Sequence, residues 1–341
     1  MERCSNKQKT SIQTLVFCFF IFLWGIVTQA ETSLPVSDRI RLAEVFRIAK
    51  KFQDKVWENW SRAPFAVLLV TPQREYLLRH PGPSDDFGLP IYDSILTAGI
   101  YSRPPHFPPN LLATFPAVKG VPTIVVGQPE NVSKSSAEWV LTLLHEHFHQ
   151  LQMSLPNYFA AVESLGLSGG DQTGRWMLDY PFPYDSVAVN EAFADLGRLL
   201  SEMLKAKKGE ISQKLKTYLE ARGRFQNLLG ANDYKYFSFQ IWQEGVARYT
   251  ELRMSKLLAN HYQPSERFRM LLDFTTFKSV ADSLENEILS TLPELSLTKQ
   301  RRVAFYYFGA AEAMLLDKVA PGWQKKYFKF KFSLDKHFSS L

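Results

Sequence analysis

The spacing of apolar residues changes character along this chain. From Ser37 to Trp60, the residues Leu42, Val45, Phe46, Ala49, Phe52, Val56 and Trp60 recur at helical intervals and predict an amphipathic helix. Two short apolar runs, Phe65–Val70 and Glu75–Leu78, flank Thr71-Pro72-Gln73-Arg74 and read as a hairpin. Residues 81–119 are broken by Pro and Gly, including Pro104-Pro105 and Pro108-Pro109, and read as loops with short strands. Val121–Val126 is β-branched, is bounded by Gly120 and Gly127, and reads as a strand. From Ser135 onward the period is helical, with helices expected at 136–153, 186–206, 210–228, 233–260, 265–288 and 297–318 and a loop over 168–185. The expected fold class is α+β. A small N-terminal helix and a mixed β-sheet occupy 31–134, and a mainly helical part occupies 135–341.

Composition agrees with a globular chain. Of 341 residues, 45% are hydrophobic and 22% charged, enough apolar material for a sizeable core. The net charge of +6 comes without a dense basic run beyond pairs such as Lys325-Lys326, so no nucleic-acid partner is expected. The N-terminus carries Arg3, Lys7 and Lys9, then an apolar stretch from Ile12 to Val27, then Thr28-Gln29-Ala30. This reads as a signal peptide over residues 1–30, cleaved after Ala30, which places the mature chain outside the cytoplasm, secreted or periplasmic, with no stable membrane span. The competing reading is a retained anchor, but the stretch is shorter than the roughly 20 residues a span needs. Both cysteines, Cys4 and Cys18, lie in this segment. A processed chain would have no disulfide, thiolate ligand or Cys nucleophile.

Three of the seven histidines fall in His145-Glu146-His147-Phe148-His149. On a helix, residues i and i+4 project together, so His145 and His149 can reach one metal ion while Glu146 serves as general base. Ser135 and Glu138 have capping-box spacing, and Val140, Leu141, Leu144, Phe148 and Leu151 form one apolar stripe with both histidines beside it. A strand would instead align His145, His147 and His149, but the stripe has helical period. The bland reading is a chance match, which need not fall on an amphipathic helix.

A catalytic zinc usually takes a third protein ligand and leaves one position open. Two downstream motifs compete: Asn190-Glu191-Ala192-Phe193-Ala194-Asp195, and Glu244-Gly245-Val246-Ala247-Arg248-Tyr249-Thr250-Glu251. With His-Glu-x-x-His they resemble the gluzincin metallopeptidases. The first motif is similar to that of thermolysin-like enzymes, the second to the Glu-Gly-x-Ala-x-x-x-Glu of the aminopeptidase N family. The resemblance covers only these short segments. It implies a zincin-like catalytic part, a zinc ion held by His145, His149 and one distant Glu, and a later carboxylate supporting the site.

Helical wheels favour Glu244. Around Glu191 the apolar stripe Val189, Phe193, Leu196, Leu200 and Met203 points away from Glu191, Asp195, Arg198 and Glu202, whose charge pairs suit a solvated face. Glu244 and Glu251 share a face with Ala247, Met254 and Leu258, while Arg248 points elsewhere; a carboxylate beside apolar residues needs a partner such as a metal or a ligating His. Glu251 is therefore the expected supporting carboxylate.

Candidates for stabilising an oxyanion are Tyr249, Tyr306 and Tyr307, Tyr306-Tyr307 lying just before Gly309-Ala310-Ala311, where a helix can pack closely. His147 points away from His145 on a helix and is not expected to be a ligand, and His106, in a Pro-rich loop, reads as a surface residue and not a catalytic one. Gly127-Gln128-Pro129-Glu130-Asn131 resembles the amine-binding Gly-x-Met-Glu-Asn of aminopeptidase N enzymes, but reads more simply as a polar turn. The strand Val121–Val126 can offer an edge to a peptide. The expected activity is zinc-dependent hydrolysis of peptide or protein substrates by a metal-activated water. The alternatives are a secreted binding or scaffold protein with a degenerate zincin fold, and a zinc hydrolase of a non-peptide bond.

Overall fold

A computed structural model describes residues 34–339, so the expected signal over residues 1–30 lies outside the described residues. Its β-part is one six-stranded mixed sheet in the order β3-β4-β2-β1-β6-β5. The strands are β1 (Val67–Val70), β2 (Glu75–Leu78), β3 (Ile91–Asp93), β4 (Ala98–Arg103), β5 (Leu112–Val118) and β6 (Val121–Gly127). The β1–β6 pair is parallel, and every other pairing is antiparallel. All of β1 and residues 123–127 of β6 are buried, as unbroken apolar runs covered on both faces should be. The β5–β6 turn is Lys119-Gly120, both at positive φ (44° and 74°), the two-residue geometry that matches strand twist.

The sheet's edges are β3 and β5, which corrects the sequence reading of the strand at Val121–Val126 as an edge. Val121–Val126 is an interior strand between β1 and β5, and the edge beside it comes from the Pro-rich stretch read as loops with short strands. Pro116 sits at the irregularity between Phe115 and Val118, where a missing N–H costs an edge strand little.

The helices are α1 (Val36–Val56), α2 (Ser136–Met153), α3 (Tyr158–Glu163), α4 (Trp176–Asp179), α5 (Val187–Lys205), α6 (Ile211–Leu228), α7 (Ala231–Gln240), α8 (Val246–His261), α9 (Glu266–Arg269), α10 (Phe277–Thr291), α11 (Leu297–Gln300), α12 (Ala304–Val319), α13 (Gln324–Tyr327) and α14 (Asp335–Phe338). α7 and α8 are joined by a π-helical turn, Ile241–Gly245, and make the single long helix expected at 233–260. Two other expectations are cut by tertiary demands. The helix at 265–288 is split, with Thr276 capping α10 by accepting from the Ser279 N–H. The helix at 297–318 breaks at Arg301, which takes φ 51°.

Residues 37–339 fall in one compact unit, so the sheet and the helical part share a core. The shared element is α2. It packs on β5 and β6 on one side and on α8 on the other, and everything from Trp139 to Gln152 is buried. A helix covered all round must satisfy any polar side chain from its neighbours. The three histidines, Glu146, Gln150 and Gln152 therefore all have specific partners.

Candidate metal centre

α2 starts where the sequence predicts. The Glu138 carboxylate accepts from the Ser135 N–H (2.8 Å), and Ser135 Oγ accepts from the Glu138 N–H (3.4 Å). The Trp139 indole donates to the Gly127 carbonyl (2.9 Å), tying the helix to the end of β6. Ten residues into the helix, His145 and His149 stand one turn apart with their Nε2 atoms 3.2 Å from each other.

Glu244 reaches them from the π-turn. Its Oε2 lies 3.3 Å from His149 Nε2 and 3.8 Å from His145 Nε2. The next residue explains how it gets there. A Cβ on Gly245 would lie 2.5 Å from Gly309 Cα, and one on Gly309 would lie 2.8 Å from the Ile241 carbonyl oxygen. The π-turn and α12 therefore meet backbone to backbone, and no side chain larger than hydrogen fits at either position. Burial opposes the Glu244 charge, but His149, His145 and Arg302 hold its pKa well below the usual carboxylate range.

The other nitrogens of both imidazoles are engaged. His145 Nδ1 lies 3.4 Å from Glu251 Oε2, and Arg248 bridges Glu251 (2.9 Å) and Glu287 (2.6 Å). Arg248 thus turns toward the supporting carboxylate, not away from it as the wheel suggested. Burial disfavours a charged His145, but hydrogen bonds to Glu244 and Glu251 outweigh it and push its pKa up to about 9. His149 Nδ1 lies 2.7 Å from Gln152 Oε1. The Gln152 Nε2 faces the carbonyls of Gln243 (3.1 Å) and Trp242 (3.3 Å), which can only accept. That fixes Oε1 toward His149, so Nδ1 carries the proton and the Nε2 lone pair is free for a metal. Both carbonyls belong to the π-turn, whose irregular bonding leaves them available.

Glu146 points to the sheet. Its Oε2 accepts from Thr114 Oγ1 (2.8 Å), which also lies 3.1 Å from the Glu146 carbonyl oxygen. Thr114 belongs to the edge strand β5, so the Glu146 carboxylate is joined to that strand by one hydrogen bond.

Compared with family models, characterised proteins and solved structures, the chain matches none. The site must be read from its own geometry.

A tetrahedral zinc with bonds of about 2.0–2.1 Å spaces its ligands about 3.3–3.4 Å apart. The three donor separations, 3.2, 3.3 and 3.8 Å, trace one face of such a tetrahedron. The donor set, two imidazoles and one carboxylate, fits zinc with a position left open. Among the described residues, His145, His149 and Glu244 are the group so arranged.

The remaining candidates separate cleanly. Glu191 is exposed, Asn190 Oδ1 accepts from the Leu297 N–H (2.7 Å), and Asp195 pairs with Arg198 (3.0 Å). The Asn-Glu-Ala motif thus serves a helix surface and a cap. Tyr249 donates to Asp317 (2.7 Å) and Tyr307 to Glu287 (2.6 Å), both away from the ligands. Tyr306 alone of the three tyrosines is at the site, its ring stacked 6.4 Å from that of His145 and its hydroxyl accepting from Arg302 (2.7 Å). His147 lies flat on Phe65 at 3.9 Å, and burial drives its pKa down to about 3. His106 is half-exposed near Asp86, and Glu130 pairs with Arg41 (3.1 Å) at the start of α2, as a polar turn would. Sequence reasoning missed Thr114, Gln152 and Arg302. Only Gln152 left a local signal, three residues after His149 on the same helix.

Proposed function

We propose that this protein is a zinc-dependent peptidase of the gluzincin type with a zincin-like catalytic part, exported from the cytoplasm by its N-terminal segment. The observation that carries the reading is the His145–His149–Glu244 triangle of tetrahedral dimensions, with a buried carboxylate, Glu146, beside it but outside the ligand set. A purely structural site has no use for that carboxylate. Zinc at this position supplies Lewis acidity toward a carbonyl and toward water.

The chain's own groups supply the rest. Glu146 takes the proton of the attacking water and delivers it to the leaving amine, and Thr114 orients it by occupying Oε2. Glu251 and Gln152 hold the two imidazoles in the tautomer that presents Nε2. Tyr306, its phenol kept protonated by burial and by the Glu244 charge, donates to the developing oxyanion. The open side of β5 offers ladder partners to an extended substrate, alongside Thr114 and hence the base.

The test is cleavage of a blocked peptide library by protein stripped with chelator and reloaded with zinc. Cleavage should need the metal. Glu146→Gln should retain one zinc and lose hydrolysis, and Glu244→Gln should lose zinc where Glu191→Gln does not. Full zinc retention by Glu244→Gln, or undiminished turnover by Glu146→Gln, would overturn the reading.

A further inference from the structure

Large apolar side chains that stand singly on a protein surface need no explanation. Near the start of α1 they gather. Arg39, in the first turn of that helix, pairs with Asp93 (2.8 Å), the last residue of the edge strand β3. The two residues before it, Ile91 and Tyr92, are 61% and 70% exposed. Arg41 reaches Asp273 (3.3 Å), which also accepts from Ser136 Oγ (2.7 Å) at the start of α2. Asp273 closes the turn after α9, and that turn carries Met270, 76% exposed, and Leu272, fully exposed. Arg39 and Arg41 stand about 3 Å apart along the helix axis, so both apolar segments are pinned at one level of α1.

Two further observations say what covers this surface. The first is charge. Asp93 and Asp273 are both engaged by α1, whereas Arg267 and Arg269, exposed in α9 just before Met270, have no ion pair among the described residues. Glu266, also exposed, offsets one of them. Cations beside bare apolar tips suit a headgroup interface, where the tips enter the acyl boundary and the guanidiniums stay among lipid phosphates. An isologous pairing with a second copy, centred on this segment, would instead set the positive charge against itself. The second is the chain outside the described residues. The apolar stretch Ile12–Val27 ends ten residues before Ser37, and ten residues span at most about 36 Å. That covalent limit keeps a membrane holding the stretch close to this end of α1.

We propose that the Ile91–Tyr92 edge and the Arg267–Leu272 segment form a peripheral docking face for a bilayer that carries anionic lipid. α1 then meets the membrane with its N-terminal end. α2 starts at the same level, because Ser136 bonds both Arg41 (2.7 Å) and Asp273. Neither a few apolar tips nor two charges alone hold a protein at such an interface; the two together do, as when one lipid chain is backed by a basic patch.

The test needs neither the metal nor hydrolysis. Residues 37–339 fall in one compact unit, so the chain starting at Glu31, the expected product of cleavage, keeps the whole fold. It is sedimented with vesicles of phosphatidylcholine, alone or with about 30% phosphatidylserine. Binding should be at least tenfold tighter to the anionic vesicles and should fall as salt rises. Arg267→Gln with Arg269→Gln should remove most of that difference, each charge being worth about fivefold. Met270→Ser with Leu272→Ser, and Ile91→Ser with Tyr92→Ser, should each weaken binding to both vesicle types about tenfold. Melting temperatures should stay close to that of the unsubstituted chain, since all six side chains are exposed. No sedimentation with anionic vesicles at millimolar lipid overturns the proposal, and so does binding that all three double substitutions leave unchanged. A dimer in analytical ultracentrifugation that the same substitutions dissolve would give the face to a second copy and overturn it as well.

Discussion

Replacing Gly245 with alanine tests how the site is assembled. The added methyl would sit 2.5 Å from Gly309 Cα, 2.9 Å from its carbonyl carbon and 3.2 Å from the Ala310 nitrogen. All three are backbone atoms and cannot swing aside. Carbon atoms rest comfortably at about 3.5–4.0 Å, so the π-turn and α12 must part by about 1 Å. Overpacking of this kind costs about 1–3 kcal/mol. Alanine's better helix propensity returns up to about 1 kcal/mol, and the net is still destabilising. Gly223, on α6 with nothing within 4 Å of its Cβ, supplies the control: Gly223→Ala should stabilise by a few tenths to 1 kcal/mol. The parting also moves Glu244 relative to histidines that sit on a different helix. Adding about 1 Å to the Glu244–His149 separation takes it beyond the edge of a tetrahedral site, so zinc affinity should fall at least tenfold. Thermal melts of chelated protein and competition with a zinc-binding dye read the two effects separately. If Gly245→Ala matches Gly223→Ala in melting temperature and the wild type in zinc affinity, the close approach does not place the ligand.

Glu251→Gln and Gln152→Leu remove the partners of His145 Nδ1 and His149 Nδ1, and each should weaken zinc binding about 10- to 100-fold without unfolding the chain; unchanged affinity in a dye competition would refute the orienting role. Thr114→Val frees the Glu146 carboxylate, and kcat should fall about tenfold or more while zinc stoichiometry stays at one, as measured by elemental analysis beside single-turnover kinetics. The metal-free protein should show an inverse pH response. Its His145 pKa is raised to about 9, against an unfolded value near 6.5, so this contribution is fully present below about pH 6.5 and is lost as pH rises through about 9. That is on the order of 3 kcal/mol, and melts at pH 6, 7.5 and 9 should fall in that order. Over the same window zinc must displace the proton, so its affinity should climb toward tenfold per pH unit; a flat affinity would mean that His145 is already neutral.

Local period carried the sequence reading where the signals are consecutive in one element and failed where partners are distant. α2 was legible because its cap, Ser135 with Glu138, and its stripe through Phe148 are consecutive features of one helix. The edge strand was not, because β5 contains Pro116 and its exposure is graded, so no alternation marks it; pairing with β6 makes it a strand. Arg302 was hidden for a related reason. The helix break that aims it at Glu244 is held by Asn190 and Asp185, more than a hundred residues away in sequence.

The two competing carboxylate motifs show why burial has to be read before letters. Asn190-Glu191-Ala192 and Glu244-Gly245-Val246-Ala247 are equally good matches to gluzincin patterns. The first lies on a face where Glu191 meets solvent and Asp195 meets Arg198, and its asparagine serves as a cap for α11. In the second, every letter has a packing reason: Gly245 admits Gly309, Ala247 is fully buried, and Glu251 lies one helical stretch below Glu244, against His145. A buried carboxylate without a partner is costly to keep, and Glu244 and Glu251 find partners in two histidines, Arg302 and Arg248. Under the proposed reading, the choice of Glu244 over Glu191 follows from the burial of the one and the exposure of the other. The Glu-Gly-x-Ala-x-x-x-Glu spacing is then a consequence of that constraint, since it puts Gly245 against Gly309 and Glu251 against His145.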